Sequence, residues 1–255
     1  MSGECSRRVL LAGVAAGVGA RVDARLRSVI RIAAASDLQP VLPGIVVEFE
    51  RTHPRLRVET MYGSSGILSR QIEQGAPFDL FTSAGQSFVE RLDLARRLQP
   101  KSRRVYATGR IAVARGLGSA SPTHLEDLLR PEFKRIAIAN PALAPYGAAA
   151  QQALQRSDLA QALQSRLVSA ENVRQAEQFL RTGNVDAAFL SGAQVRAARW
   201  PHLLINRTLH DPIIHEMAIV AHCREALGAA AFGDFLLSKP VQRRLTAAGY
   251  EAPVR

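Results

Sequence analysis

Serine hydroxyls stand at two points where an apolar strand pattern gives way to a helical one. The run from Val29 to Leu38 passes into Ser36 and Asp37, and the run from Val58 breaks at Gly63-Ser64-Ser65-Gly66 and reopens as a helix that reaches Gly75. Each junction offers a hydroxyl beside the N–H groups of a helix's first turn, which have no acceptor inside the helix. Together they form a cradle for an anion. Two further junctions follow, where Asn140 to Gly147 leads into a helix and where Asn172 caps one that leaves the Val173 N–H free. Ser, Asp and Asn are also the common N-cap residues, so any one junction alone reads as a cap. Several of them meeting at one place would read as a site for an oxyanion.

Such a site would work without cationic side chains, because each helix start carries roughly half an elementary charge. Hydroxyls and amides of this kind donate and leave no acceptor for a guest's own O–H, so a fully ionised molybdate, tungstate or sulfate is expected in preference to protonated phosphate. Enzymatic chemistry finds less support. No G-x-G-x-x-G or G-x-x-x-x-G-K-[ST] loop is present, and Gly63 to Gly66 lacks the G-x-S-x-G spacing of a nucleophile elbow. The six histidines form no H-x-x-x-H pair, and His210 and His215 read as surface or hinge residues. An enzyme acting on a small anionic substrate stays open as an alternative reading. No cofactor is implied, and no residues are expected as direct ligands of a metal cation.

The 255 residues carry a formal charge of +11, which suggests nucleic acid, an acidic surface or a small anion as partner. The basic residues are scattered arginines without a basic run or aromatic interleaving, so nucleic acid is set aside. Cys5 and Cys223 are the only cysteines and form no metal-ligand spacing. Residues 1–27 read as a secretory leader, in which Arg7 and Arg8 precede a short apolar run. The arginine pair keeps a twin-arginine export route open, and the expected location is periplasmic.

From Val29 onward, strand and helix patterns alternate, the signature of an α/β architecture. The strands are too many for one sheet, which gives two lobes, each a mixed, mostly parallel sheet flanked by helices. Residues 28–108 and 217–255 are assigned to the first lobe and 109–216 to the second. Ligands of such sheets bind beyond the carboxyl ends of the strands, where the helices begin.

Four motifs then agree in order and spacing with a known family: Ala33 to Leu38; Gly63 to Gly66 with Gln71 to Phe81; Ile138 to Pro141 running on to Ala144-Pro145-Tyr146-Gly147; and Glu171 to Val173. The chain resembles the periplasmic molybdate-binding proteins, the substrate-binding components of ABC importers, over nearly everything from Val29 onward. The resemblance implies a type II periplasmic binding fold closing on molybdate or tungstate, with a membrane permease as partner and a monomeric protein. It implies Ser36 and Ser65 as ligand serines, Ala35 beside the first, Val173 as a backbone donor and Tyr146 as a further contact. One branch of the family supplies a tyrosine hydroxyl from the strand that here reads Phe189-Leu190-Ser191. Leu190 cannot donate, so either Tyr146 supplies that contact or the site has one hydroxyl fewer. A receptor for another oxyanion, such as sulfate, is the alternative within the same class.

Overall fold

The computed structural model describes residues 27–116 and 122–253, so the expected leader lies almost entirely outside it. Two five-stranded sheets carry the fold. In the first, β1 (Ser28–Ala35) lies parallel to both β2 (Leu56–Gly63) and β3 (Leu80–Ser83). β10 (Ile213–Ile219) runs antiparallel between β3 and β4 (Arg104–Gly109). In the second, β6 (Ile136–Ala139) lies parallel to β7 (Leu167–Ala170) and β8 (Ala187–Ser191), while β5 (Ile111–Arg115) pairs antiparallel with β8 and β9 (His202–Leu204). The parallel strands all end toward the cleft between the sheets. The strands in antiparallel pairs at the lobe boundary, β4 and β5 on one crossing and β9 and β10 on the other, flank the chain crossings.

Helices cover both sheets. On the first lobe these are α1 (Leu42–Thr52), α2 (Ser65–Glu73), α3 (Gln86–Leu94), α8 (Ala226–Leu236) and α9 (Lys239–Ala248). On the second they are α4 (Pro145–Arg156), α5 (Ala160–Leu163), α6 (Val173–Arg181) and α7 (Gly192–Ala197). Helix α1 shows why such segments dock. Leu42, Ile45 and Phe49 recur at helical spacing and are all buried, with the Phe49 ring edge-on to Phe232 of α8 at 5.0 Å. Burying each such side chain contributes about 1.5–3 kcal/mol. Pro43 sits in the first turn of α1, where its missing N–H costs nothing. Gly75 and Gly183 follow α2 and α6 with φ of +87° and +70°, the left-handed geometry that ends a helix.

The sheet assignments put the first crossing at Arg110, between β4 and β5, and the return between Leu204 and Ile213. The sequence places the return near Asp211 to Met217, with Met217 as the first residue back in the first lobe; Met217 lies inside β10. That strand starts earlier because Ile213 and Ile214 already pair with Gly109 and Thr108.

Candidate anion-binding site

Where β1 and β2 end in the first lobe and β6 and β7 in the second, the chain turns toward the cleft and starts a helix. A cavity with about 190 Å³ of atom-free space lies between these starts, and Ala35, Ser36, Ser65, Tyr146 and Val173 all line it. The gap is far too small for a drug-sized guest. No Lys or Arg is on its wall.

The serines are not caps. Ser36 opens a short 3-10 turn, Ser36–Leu38, whose N-cap is Ala35, and no side chain bonds to that turn's amides. Ser64 is the N-cap of α2 by backbone position, yet its side chain makes no capping bond. Its Oγ is instead a buried hydroxyl with no partner. Ser65 Oγ accepts from the Ala84 N–H at 3.0 Å, which orients the hydroxyl and leaves its own proton available. Asn172 does cap α6, accepting from the N–H groups of Arg174 and Gln175 at 3.0 and 3.1 Å. Val173, at the first position of α6, keeps a free N–H. The Tyr146 N–H, in the first turn of α4 after Pro145, has no carbonyl acceptor in a turn or loop either.

The two lobes are in contact around the cavity. The Gly66 N–H donates to the Leu143 carbonyl across the cleft at 2.8 Å. A Cβ on Gly66 would stand 2.9 Å from the Leu143 backbone, so this approach requires glycine.

Sequence reasoning missed two features of the wall. Ser64 was passed over in favour of its neighbour, because a serine before a helix reads as a cap until its hydroxyl is seen to be unpartnered. The second is Asp37, buried at 1% exposure and lining the same cavity. A wall of donors alone was expected, and Asp37 places an acceptor there. It is turned inward because Ser36–Leu38 forms a tight 3-10 turn with all its residues buried.

Asp37 heads a buried polar cluster. Its Oδ2 accepts from the Tyr250 hydroxyl at 2.7 Å and from the Tyr146 hydroxyl at 3.3 Å, and lies 3.6 Å from His215 Nε2. His215 Nδ1 meets the Tyr106 hydroxyl at 3.3 Å. His215 is fully buried and His210 nearly so, which removes the surface half of the surface-or-hinge reading; both stand in or beside the segment that returns to the first lobe. Burial pushes the His215 pKa down, with the Asp37 charge opposing that shift. Burial, reinforced by the Asp37 charge, holds the phenols of Tyr106, Tyr146 and Tyr250 well above their ordinary range. The Tyr146 hydroxyl is engaged inside this cluster, 3.3 Å from Asp37 Oδ2 and 3.3 Å from His215 Nε2, so the donor that Tyr146 can turn to the cavity is its N–H.

Residues 30–251 match the family described as bacterial extracellular solute-binding protein. The chain is 31% identical to the molybdate-binding protein ModA of Azotobacter vinelandii, over 98% of this chain and 99% of that one. It is 31% identical to ModA of Rhodobacter capsulatus, over 74% and 75% of the two chains. Its fold superposes on the Azotobacter vinelandii periplasmic molybdate-binding protein with a TM-score of 0.84 at 29% identity, covering 88% of this chain and 100% of that one.

Proposed function

This chain belongs to the bacterial extracellular solute-binding family, among the periplasmic molybdate-binding proteins, and from that premise we propose that it holds molybdate, or tungstate, in the cleft between its lobes. The observation that carries the reading is a small cavity between the lobes lined by donors not engaged elsewhere, namely the hydroxyls of Ser36, Ser64 and Ser65 and the first-turn amides of Tyr146 and Val173. Helix starts supply the positive potential that a dianion needs, and neutral donors supply its hydrogen bonds. Charge-assisted bonds of this kind contribute about 1.5–3 kcal/mol each.

The protein does no chemistry on its guest. It works outside the cytoplasmic membrane as a monomer, closing on the ion and presenting it to the permease of an ABC importer. The names of its relatives support transport over catalysis. Calorimetric titration of the protein without its leader, against molybdate, tungstate, sulfate and phosphate, tests the reading. One saturable site for molybdate and tungstate is expected. Strong phosphate binding with no response to molybdate would overturn it.

A further inference from the structure

Resting on that reading, the cavity poses an electrostatic problem, since a dianion would enter a site whose wall already carries a buried carboxylate. Asp37 Oδ2 is held by Tyr250 and Tyr146. The residue lines the cavity, and its Oδ1 takes no part in these bonds. No basic side chain lines the cavity to offset the added charge. In a site of low polarity, like charges at such range repel far more than they would in water.

We propose that the binding of each fully ionised oxyanion draws one proton from solvent into the cleft, where the Asp37–His215 pair holds it. The geometry gives that proton two resting places. On Asp37 it would lie on Oδ1 and donate to an oxygen of the guest, turning a repulsive contact into a hydrogen bond. On His215 it would make an imidazolium with Nε2 3.6 Å from Asp37 Oδ2 and Nδ1 facing the Tyr106 oxygen at 3.3 Å. A phenol hydroxyl accepts as readily as it donates, so Tyr106 serves either state of the ring. His215 is poised for this role because burial keeps it neutral while the Asp37 charge favours its protonation.

Other titratable groups around the pair do not take the proton. Tyr146 on α4, Tyr250 after α9 and Tyr106 on β4 are phenols already protonated at neutral pH. Helices α6 and α7 also pack on the Ser36–Leu38 turn. Their Arg174 and Arg196 are exposed, and Glu177 is bonded to Gln194, Trp200 and Arg181. Glu216, next to His215 on β10, is bonded to Arg103.

The sign follows from linkage. The complex carries one proton more than the free protein, so raising the pH weakens binding, by up to tenfold per pH unit. Calorimetry of the full mature protein with molybdate at pH 7, in buffers of differing ionisation enthalpy, reads the proton count directly. Uptake near one proton per ion is expected, together with an affinity that falls between about pH 6 and 8. Asp37→Asn should remove both the uptake and the slope. Hydrogen phosphate, which brings its own proton, should bind with no net uptake if it binds at all. Molybdate binding with zero uptake in the unaltered protein would overturn the proposal and leave the oxyanion reading standing. Absence of any molybdate binding would overturn both. The unaltered protein decides the matter even if the variant does not fold.

Discussion

Two strand-to-helix junctions of this molecule begin with the same residue and end in opposite roles. At the end of β8, Ser191 is closed into its own helix: its Oγ accepts from the Gln194 N–H at 3.2 Å and donates to Gln194 Oε1 at 3.1 Å, which also accepts from the Ser191 N–H at 3.0 Å. At the end of β2, Ser64 and Ser65 leave the α2 amides uncapped by any side chain. The first junction is complete in itself, and the second is complete only with a guest. What separates them is whether the helix can satisfy its own first turn. Gln194 reciprocates for Ser191, whereas the corresponding residue of α2 is Ile67.

The widest test of this contrast removes the open hydroxyls together. Ser36→Ala with Ser65→Ala deletes two donors to a charged guest, so oxyanion affinity should fall by about 3–6 kcal/mol, or roughly two to four powers of ten. Ser65→Ala adds a stability cost, because the Ala84 N–H loses its acceptor. Ser36 Oγ has no such protein partner, so Ser36→Ala should leave the melting temperature nearly unchanged. Calorimetry and thermal melts on the two single variants and the pair separate these contributions. Equal affinity in all three would return both serines to the status of ordinary turn residues.

Ser64→Ala sharpens the comparison by the sign of its stability effect. Its hydroxyl is buried without a partner in the ligand-free protein, and removing an unsatisfied group costs nothing or stabilises. Affinity should nevertheless drop by about 1.5–3 kcal/mol if that hydroxyl donates to the guest. A variant that melts no lower but binds less tightly is the signature of a site serine. One that melts lower and binds as before would be a structural serine.

Much of the site was readable because strand ends and helix starts leave marks in sequence: apolar runs that stop at Ser36, Ser65 or Asn172, and Pro145 opening a helix. What could not be read was how each polar group is engaged. Ser36 to Gln39 has the same serine-to-glutamine spacing as Ser191 to Gln194, yet only the second forms the reciprocal pair. The first falls in a 3-10 turn, and the 3-10 geometry is a tertiary outcome. Asp37 and His215 are further apart in sequence than any local pattern reaches, and they meet only because β10 returns to the first sheet beside β3. The place of β4 has a related cause, since it is fixed by pairing with β10, on the order of 10² residues later in the chain.

Gly66→Ala probes the closing of the lobes rather than the donors. The added Cβ would sit 2.9 Å from the Leu143 backbone and would disturb the N–H to carbonyl bond that joins the lobes. Overpacking of this kind typically costs about 1–3 kcal/mol. Here it should act mainly on the closed state, because the backbone of Leu143 cannot yield, whereas the Phe88 side chain of the same lobe, 3.1 Å from the added Cβ, can shift. Affinity should fall by that amount while the melting temperature of the ligand-free protein changes less. Small-angle scattering should show a smaller contraction on adding molybdate. Unchanged affinity and contraction would mean that the Gly66–Leu143 contact is incidental to closure.

The smallest effect belongs to the closed junction. Ser191→Ala removes the side-chain cap of α7 and leaves the Gln194 N–H without its acceptor, while Gln194 Oε1 keeps the bond from the backbone N–H of position 191, which should lower stability by about 1 kcal/mol. Gln194 keeps its bonds from Nε2 to the Val173 carbonyl at 3.0 Å and to Glu177 at 2.9 Å, so the start of α6 stays in position. The Val173 N–H is therefore still presented to the cavity, and oxyanion affinity should be unchanged within error. If Ser191→Ala weakened binding as much as Ser36→Ala, the two kinds of junction would not differ in function. The cavity would then depend on the general stiffness of its helix starts rather than on which hydroxyls they leave unengaged.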